Sequence, residues 1–175
     1  MWWSETGARP TRRRVLLLTA LAPAALAGCG FTPLYGEGTP ASRMAGRVEV
    51  PPLEGEAGFT LHERLTGRLG VPAQPAYRLD VTLSLTRSGV ALTQQNVTTR
   101  FDVIGVAEYT LVPLSGGPAV ASGVVRAVTG FSAPESETAS AFASRAAQKD
   151  AERRLAVDLA DRIVQRLALA PGLWT

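Results

Sequence analysis

From Tyr77 to Thr86 apolar and polar residues alternate: Tyr77, Leu79, Val81, Leu83 and Leu85 against Arg78, Asp80, Thr82, Ser84 and Thr86. A period of two sends neighbours to opposite faces of a strand, so one face is buried and the other meets water. Thr99 to Val112 repeats the pattern, with Phe101, Val103, Ala107, Tyr109 and Leu111 against Arg100, Asp102, Glu108 and Thr110. Ile104, Val106 and Val112 interrupt it by placing apolar groups on the polar face, which is where a partner would lie in a subunit of an assembly. After a turn at Ser115-Gly116-Gly117-Pro118, a third strand is predicted over Ala119 to Thr129, its valines at 120, 124, 125 and 128 divided between both faces. Ser88 to Asn96 reads as a loop, and Arg47 to Val50, stopped by Pro51-Pro52, as a short opening strand.

Elsewhere the apolar positions recur at helical spacing. Leu61, Leu65 and Leu69 stand four apart, with Glu63, Arg64 and Arg68 turned outward and Gly70 as a stop, which predicts a short amphipathic helix. Ala147, Ala151, Leu155, Leu159, Ile163 and Leu167 keep the same spacing, while Arg145, Lys149, Arg153, Arg154, Arg162 and Arg166 share the other faces with Asp150, Glu152, Asp158 and Asp161. Ser132 with Pro134 and Glu135 resembles a capping start, so a long helix is expected from there to Ala168, ended by Pro171-Gly172, with Trp174 seated back on the domain. The order of elements predicts an α+β two-layer sandwich, a mixed, mainly antiparallel sheet of about four strands with a short and a long helix packed on one face. The crossovers would allow its first and last strands to pair in parallel.

The N-terminal run is of another kind. Arg12, Arg13 and Arg14 precede an almost wholly apolar stretch, Val15 to Ala27, and then Leu26-Ala27-Gly28-Cys29. A basic start, an apolar stretch too short to cross a bilayer and small residues before a processing point read as a secretory signal. With a thiol directly after Ala27 and Gly28 the segment is a lipobox, which makes Cys29 the expected acylation site; a buried structural cysteine behind an ordinary signal is the competing reading. The expected organisation is a removed signal peptide over 1–28, a lipidated Gly-, Pro- and Thr-rich tether over 29–43, and a single domain over 44–175. Phe31 and Tyr35 read equally well as interfacial aromatics beside the lipid and as docking groups. The general secretory route is preferred, although Arg12-Arg13 also resembles a twin-arginine signal.

That cleavage changes the charge. The precursor carries 18 basic and 15 acidic residues, but Arg9, Arg12, Arg13, Arg14 and Glu5 lie in the signal, leaving 14 of each. A neutral chain gives no support to binding nucleic acid by bulk charge. With Cys29 acylated, no thiol remains for a disulfide, a metal site or nucleophilic chemistry, and the covalent lipid is the only cofactor expected. His62, the single histidine, has no partner in the sequence for a triad and no metal-ligand spacing around it, so it is assigned no role and no enzymatic activity is expected.

Cys29-Gly30-Phe31-Thr32-Pro33-Leu34-Tyr35-Gly36 resembles the mature start of the LPS-assembly lipoprotein family (LptE), whose members begin Cys-Gly-Phe-x-Pro-Leu-Tyr. The order of the later elements agrees with that family's architecture. The resemblance implies an outer-membrane, periplasm-facing lipoprotein that helps assemble and plugs the β-barrel delivering lipopolysaccharide to the cell surface, and that contacts lipopolysaccharide itself. Gly30 after the cysteine suits outer-membrane sorting. Phosphates and sugars call for arginine, and Arg78, Arg87, Arg100 and Arg126 on or beside the strands are the candidate contacts; for each, a solubilising charge or a pair with Asp80 or Asp102 is the plainer reading. A periplasm-facing lipoprotein enclosing a lipid or small ligand between helix and sheet, tied to no barrel, is the alternative.

Overall fold

The alternating stretches form one four-stranded sheet in the computed structural model, which describes residues 39–92, 98–132, 140–170 and 172–174. In chain order the elements are α1 (Pro40–Met44), β1 (Val48–Glu49), α2 (Gly55–Leu69), β2 (Tyr77–Leu92), β3 (Thr98–Pro113), β4 (Ala121–Ser132) and α3 (Ser140–Ala168). Sheet order follows sequence order, with β1 parallel to β2 and the other pairings antiparallel. The architecture is the α+β sandwich the pattern predicts, but the parallel pairing of first and last strands is not formed. Helix α2 returns the chain so that Val48 lies opposite Tyr77, whereas the hairpin from β3 carries β4 to the far edge.

Odd-numbered residues of the long strands point at the helices. Leu79, Val103, Ala107, Tyr109, Leu111, Val125 and Phe131 are buried there against Leu61, Leu65 and Leu69 of α2 and Leu155, Leu159, Ile163 and Leu167 of α3. Fully burying each leucine contributes about 2 kcal/mol. Gly105 sets how closely α3 approaches, since a Cβ there would stand 2.7 Å from Leu155 Cδ2 and 2.9 Å from Leu159 Cδ1. Gly70 ends α2 at φ +79°, a conformation suited to glycine, and its N–H donates to the Thr66 carbonyl at 2.9 Å.

Charges tie the two helices together at the surface. Arg64 makes a two-pronged bond to Asp161, 3.0 and 2.8 Å, which Arg68 also approaches; Glu56 takes Lys149 at 2.6 Å and Arg153 at 3.5 Å. The C-terminus closes the other end. Trp174 is buried, its Nε1–H donates to the Leu167 carbonyl at 2.8 Å, its ring meets Tyr77 edge-on at 5.4 Å, and its carbonyl accepts from Arg43 at 2.9 Å.

Three boundaries differ from those the sequence predicts. Helix α1 begins within the stretch read as tether and ends at Met44, with Met44 and Thr39 buried. Strand β2 continues through part of the expected loop to Leu92, absorbing register shifts between Gly89 and Leu92. Strand β4 continues past Thr129 because Phe131 stacks on Phe101 at 5.2 Å, so Ser132 pairs with Arg100 in the ladder and is not a helix cap.

Candidate functional site

With both long helices on one face, no described helix covers the other face of the sheet. Even-numbered residues line it: Thr82, Ser84 and Thr86 on β2, Ile104, Val106, Glu108 and Val112 on β3, Ser122, Val124, Arg126 and Val128 on β4. Cross-strand pairing gathers its apolar members toward β4, with Ile104 opposite Val128, Val106 opposite Arg126 and Glu108 opposite Val124. Val128 is 61% exposed, so the valines that fall on both faces of β4 are divided between core and surface.

Beside that patch, where β4 meets the C-terminal half of α3, runs a groove of about 740 Å³. Its walls are Val124 and Arg126 from the strand, Arg162, Gln165 and Arg166 from the helix, and Leu169 just past the helix end. Spacing explains the helix side, since residues 162 and 166 lie one turn apart and 165 and 169 follow on the adjoining ridge. Asp158 binds Arg162 at 2.9 and 3.1 Å, and this hydrogen bond raises the guanidinium pKa further above its ordinary range. Among the described residues Arg126 and Arg166 make no ion pair, and no carboxylate lines the groove.

At the opposite end of α3 a smaller hollow of about 270 Å³ is lined by Arg87, Phe101, Phe131, Arg145 and Gln148. Arg87 stands 5.3 Å over the Phe101 ring and donates to Gln148 Oε1 at 2.8 Å.

The four candidate arginines are therefore dispersed. Arg78 pairs with Asp80 at 3.0 Å, the plainer reading for that residue. Arg87 belongs to the aromatic hollow, Arg100 is exposed near that end of the sheet on β3, and Arg126 alone enters the large groove. Arg162 and Arg166 were legible as helix-surface charges, but nothing local to them shows that a strand edge lies alongside. Cys29 and the lipobox residues Leu26, Ala27 and Gly28 lie outside the described residues. His62 Nδ1 is 3.2 Å from the Pro51 carbonyl, and among the described residues no group of three or more His, Cys, Asp or Glu could hold a metal. No described helix is long and apolar enough to cross a membrane.

The site elements are thus a sheet face lined by Thr, Ser and exposed valines and, beside it, a groove lined by arginines, both on a small α+β domain. The family model for lipopolysaccharide-assembly, LptE, matches residues 40–167, and the chain belongs to that family. Membership supports a role in lipopolysaccharide assembly and, with it, partners from lipopolysaccharide transport. Solved structures share the fold. A protein described as a lipoprotein from Caulobacter crescentus aligns at 25% identity and TM-score 0.58, covering 74% of this chain and 92% of its own. Rare lipoprotein B from Shewanella oneidensis aligns at 20% identity and TM-score 0.50, covering 70% and 92%. Lipoprotein B from Nitrosomonas europaea aligns at 13% identity and TM-score 0.53, covering 79% and 90%. Comparison with curated proteins gives no match.

Proposed function

We propose that this protein is a non-catalytic outer-membrane lipoprotein, cleaved after Gly28 and acylated on Cys29, that seats in the lumen of the lipopolysaccharide-translocating β-barrel and supports both its assembly and its delivery of lipopolysaccharide. The observation that carries this reading is the family match over residues 40–167 on a domain of the family's fold. Three features support it. A lumen is polar, and the open sheet face offers rows of Thr and Ser broken by one apolar patch. The helices are held to one another and to the sheet, α2 to α3 by ion pairs and α3 by its close approach to Gly105. Acyl chains would hold it at the membrane at about 0.8 kcal/mol per buried methylene. The tight contact at Gly105 also speaks against a ligand enclosed there between α3 and the sheet.

The exposed arginines at both ends of α3 suit phosphates and sugars, with Arg126 and Arg87 the best placed of the four candidates. Depletion of the protein in its own cell tests the role. The expected outcome is a barrel that accumulates misassembled and surface lipopolysaccharide that falls; unchanged surface lipopolysaccharide with a correctly assembled barrel contradicts it.

A further inference from the structure

The large groove runs along a strand edge, and the direction of the backbone there can be read from two hydrogen bonds. The Leu111 carbonyl accepts from Val120 N–H at 2.9 Å, which turns the odd-numbered residues of β3 toward β4. Register then makes the odd-numbered residues of β4 their ladder partners, and the Gly130 carbonyl, facing away, accepts from Arg154 at 3.5 Å. Ser122, Val124, Arg126 and Val128 accordingly turn N–H and C=O groups outward at the free edge, alongside the groove. That run is about 20 Å long at about 3.3 Å per residue.

We propose that β4 takes up an extended acidic segment of a partner protein as a fifth strand, its backbone paired with the even-numbered residues of β4 and its carboxylates met by Arg126 and Arg166. The pairing supplies affinity, and alternate side chains of the added strand enter the groove. Charge selects the occupant. Arginine lines both walls, Arg126 and Arg166 have no ion pair among the described residues, and the nearest carboxylate on the sheet, Glu108, is one diagonal from Arg126 without pairing to it. Val124 and Leu169, 43% and 62% exposed, give apolar contact between the charges. A second copy of this chain fits worse, because edge-to-edge pairing centred on this run sets Arg126 opposite its own counterpart or one diagonal from it. The inference goes beyond the lipopolysaccharide role and holds for any partner of this chemistry.

The test is hydrogen exchange on the full chain, nitrogen-15 labelled in detergent micelles, with a nine-residue peptide alternating valine and glutamate. Amides of Val124, Arg126 and Val128 are expected to exchange about tenfold more slowly with saturating peptide. Val128→Pro deletes an outward donor that the ladder with β3 does not use, so binding is lost while the fold survives. Should that variant not fold, Arg126→Glu with Arg166→Glu decides the matter: the glutamate peptide binds more than about tenfold more weakly and a valine–lysine peptide takes its place. Unchanged amide exchange, or equal binding by a folded Val128→Pro, overturns the proposal. So does protection of the same amides by phosphatidylglycerol vesicles with none from the peptide, which would make the groove a site for anionic lipid.

Discussion

Gly105 shows how much one absent methyl group decides. Leu155 and Leu159 occupy the space a side chain would need, and both are fully buried, so neither can swing clear without disturbing its own neighbours. Gly105→Ala is expected to lower stability by about 1–3 kcal/mol. Gly67, exposed on α2 with nothing within 4 Å of where a methyl group would stand, is the contrast: Gly67→Ala should stabilise by up to about 1 kcal/mol. Thermal unfolding followed by circular dichroism separates the two. At Glu56 the hydrogen bond from Lys149, then that residue's charge, holds the carboxyl below its ordinary pKa of 4.5, with Arg153 adding to the effect. A depressed carboxyl favours the folded state most when ionised, so the contribution is complete above the ordinary value and is lost as pH falls through the folded one. Glu56→Gln should therefore lower the melting temperature slightly near pH 7 and leave it unchanged near pH 2, as measured by scanning calorimetry at both.

Among the elements, the C-terminal turn contributes more than its length suggests. Trp174 joins α3, β2 and, through its carbonyl, Arg43 of α1. Trp174→Ala is expected to cost about 3–5 kcal/mol in guanidinium unfolding, and Trp174→Phe less, because it keeps one buried ring while giving up the indole hydrogen bond and part of the packing. Most elements were legible because their patterns are long: the alternation over Tyr77 to Leu85 and the four-residue spacing from Ala147 to Leu167 each leave a single consistent face. The ends of elements were harder. Ser132 carries a helix-start signal, yet the stacking of Phe131 on Phe101, far away in sequence, keeps it in the strand. The same holds for the position of β1, which depends on where α2 returns the chain and not on any property of Val48 or Glu49. The groove was legible only in part, since Arg126 stood out between apolar neighbours while Arg162 and Arg166 became its companions through packing of α3 beside the β4 edge.

In the described domain two helices cover one side of the sheet, while no described helix covers the other side and no described strand pairs with the outer edge of β4. The same chain that buries leucines four apart on α3 leaves Ile104, Val124 and Val128 facing water, a cost that is offset only when something covers them. Family membership gives the context in which that cover would be found, lipopolysaccharide assembly. The most direct test is affinity purification of the tagged protein from detergent-solubilised envelopes, with mass spectrometry of what is retained. A stable complex with an outer-membrane β-barrel is expected, the bait carrying acyl chains on Cys29. Recovery of the bait as an unlipidated monomer, with no barrel at any detergent concentration that keeps membrane proteins folded, would contradict it.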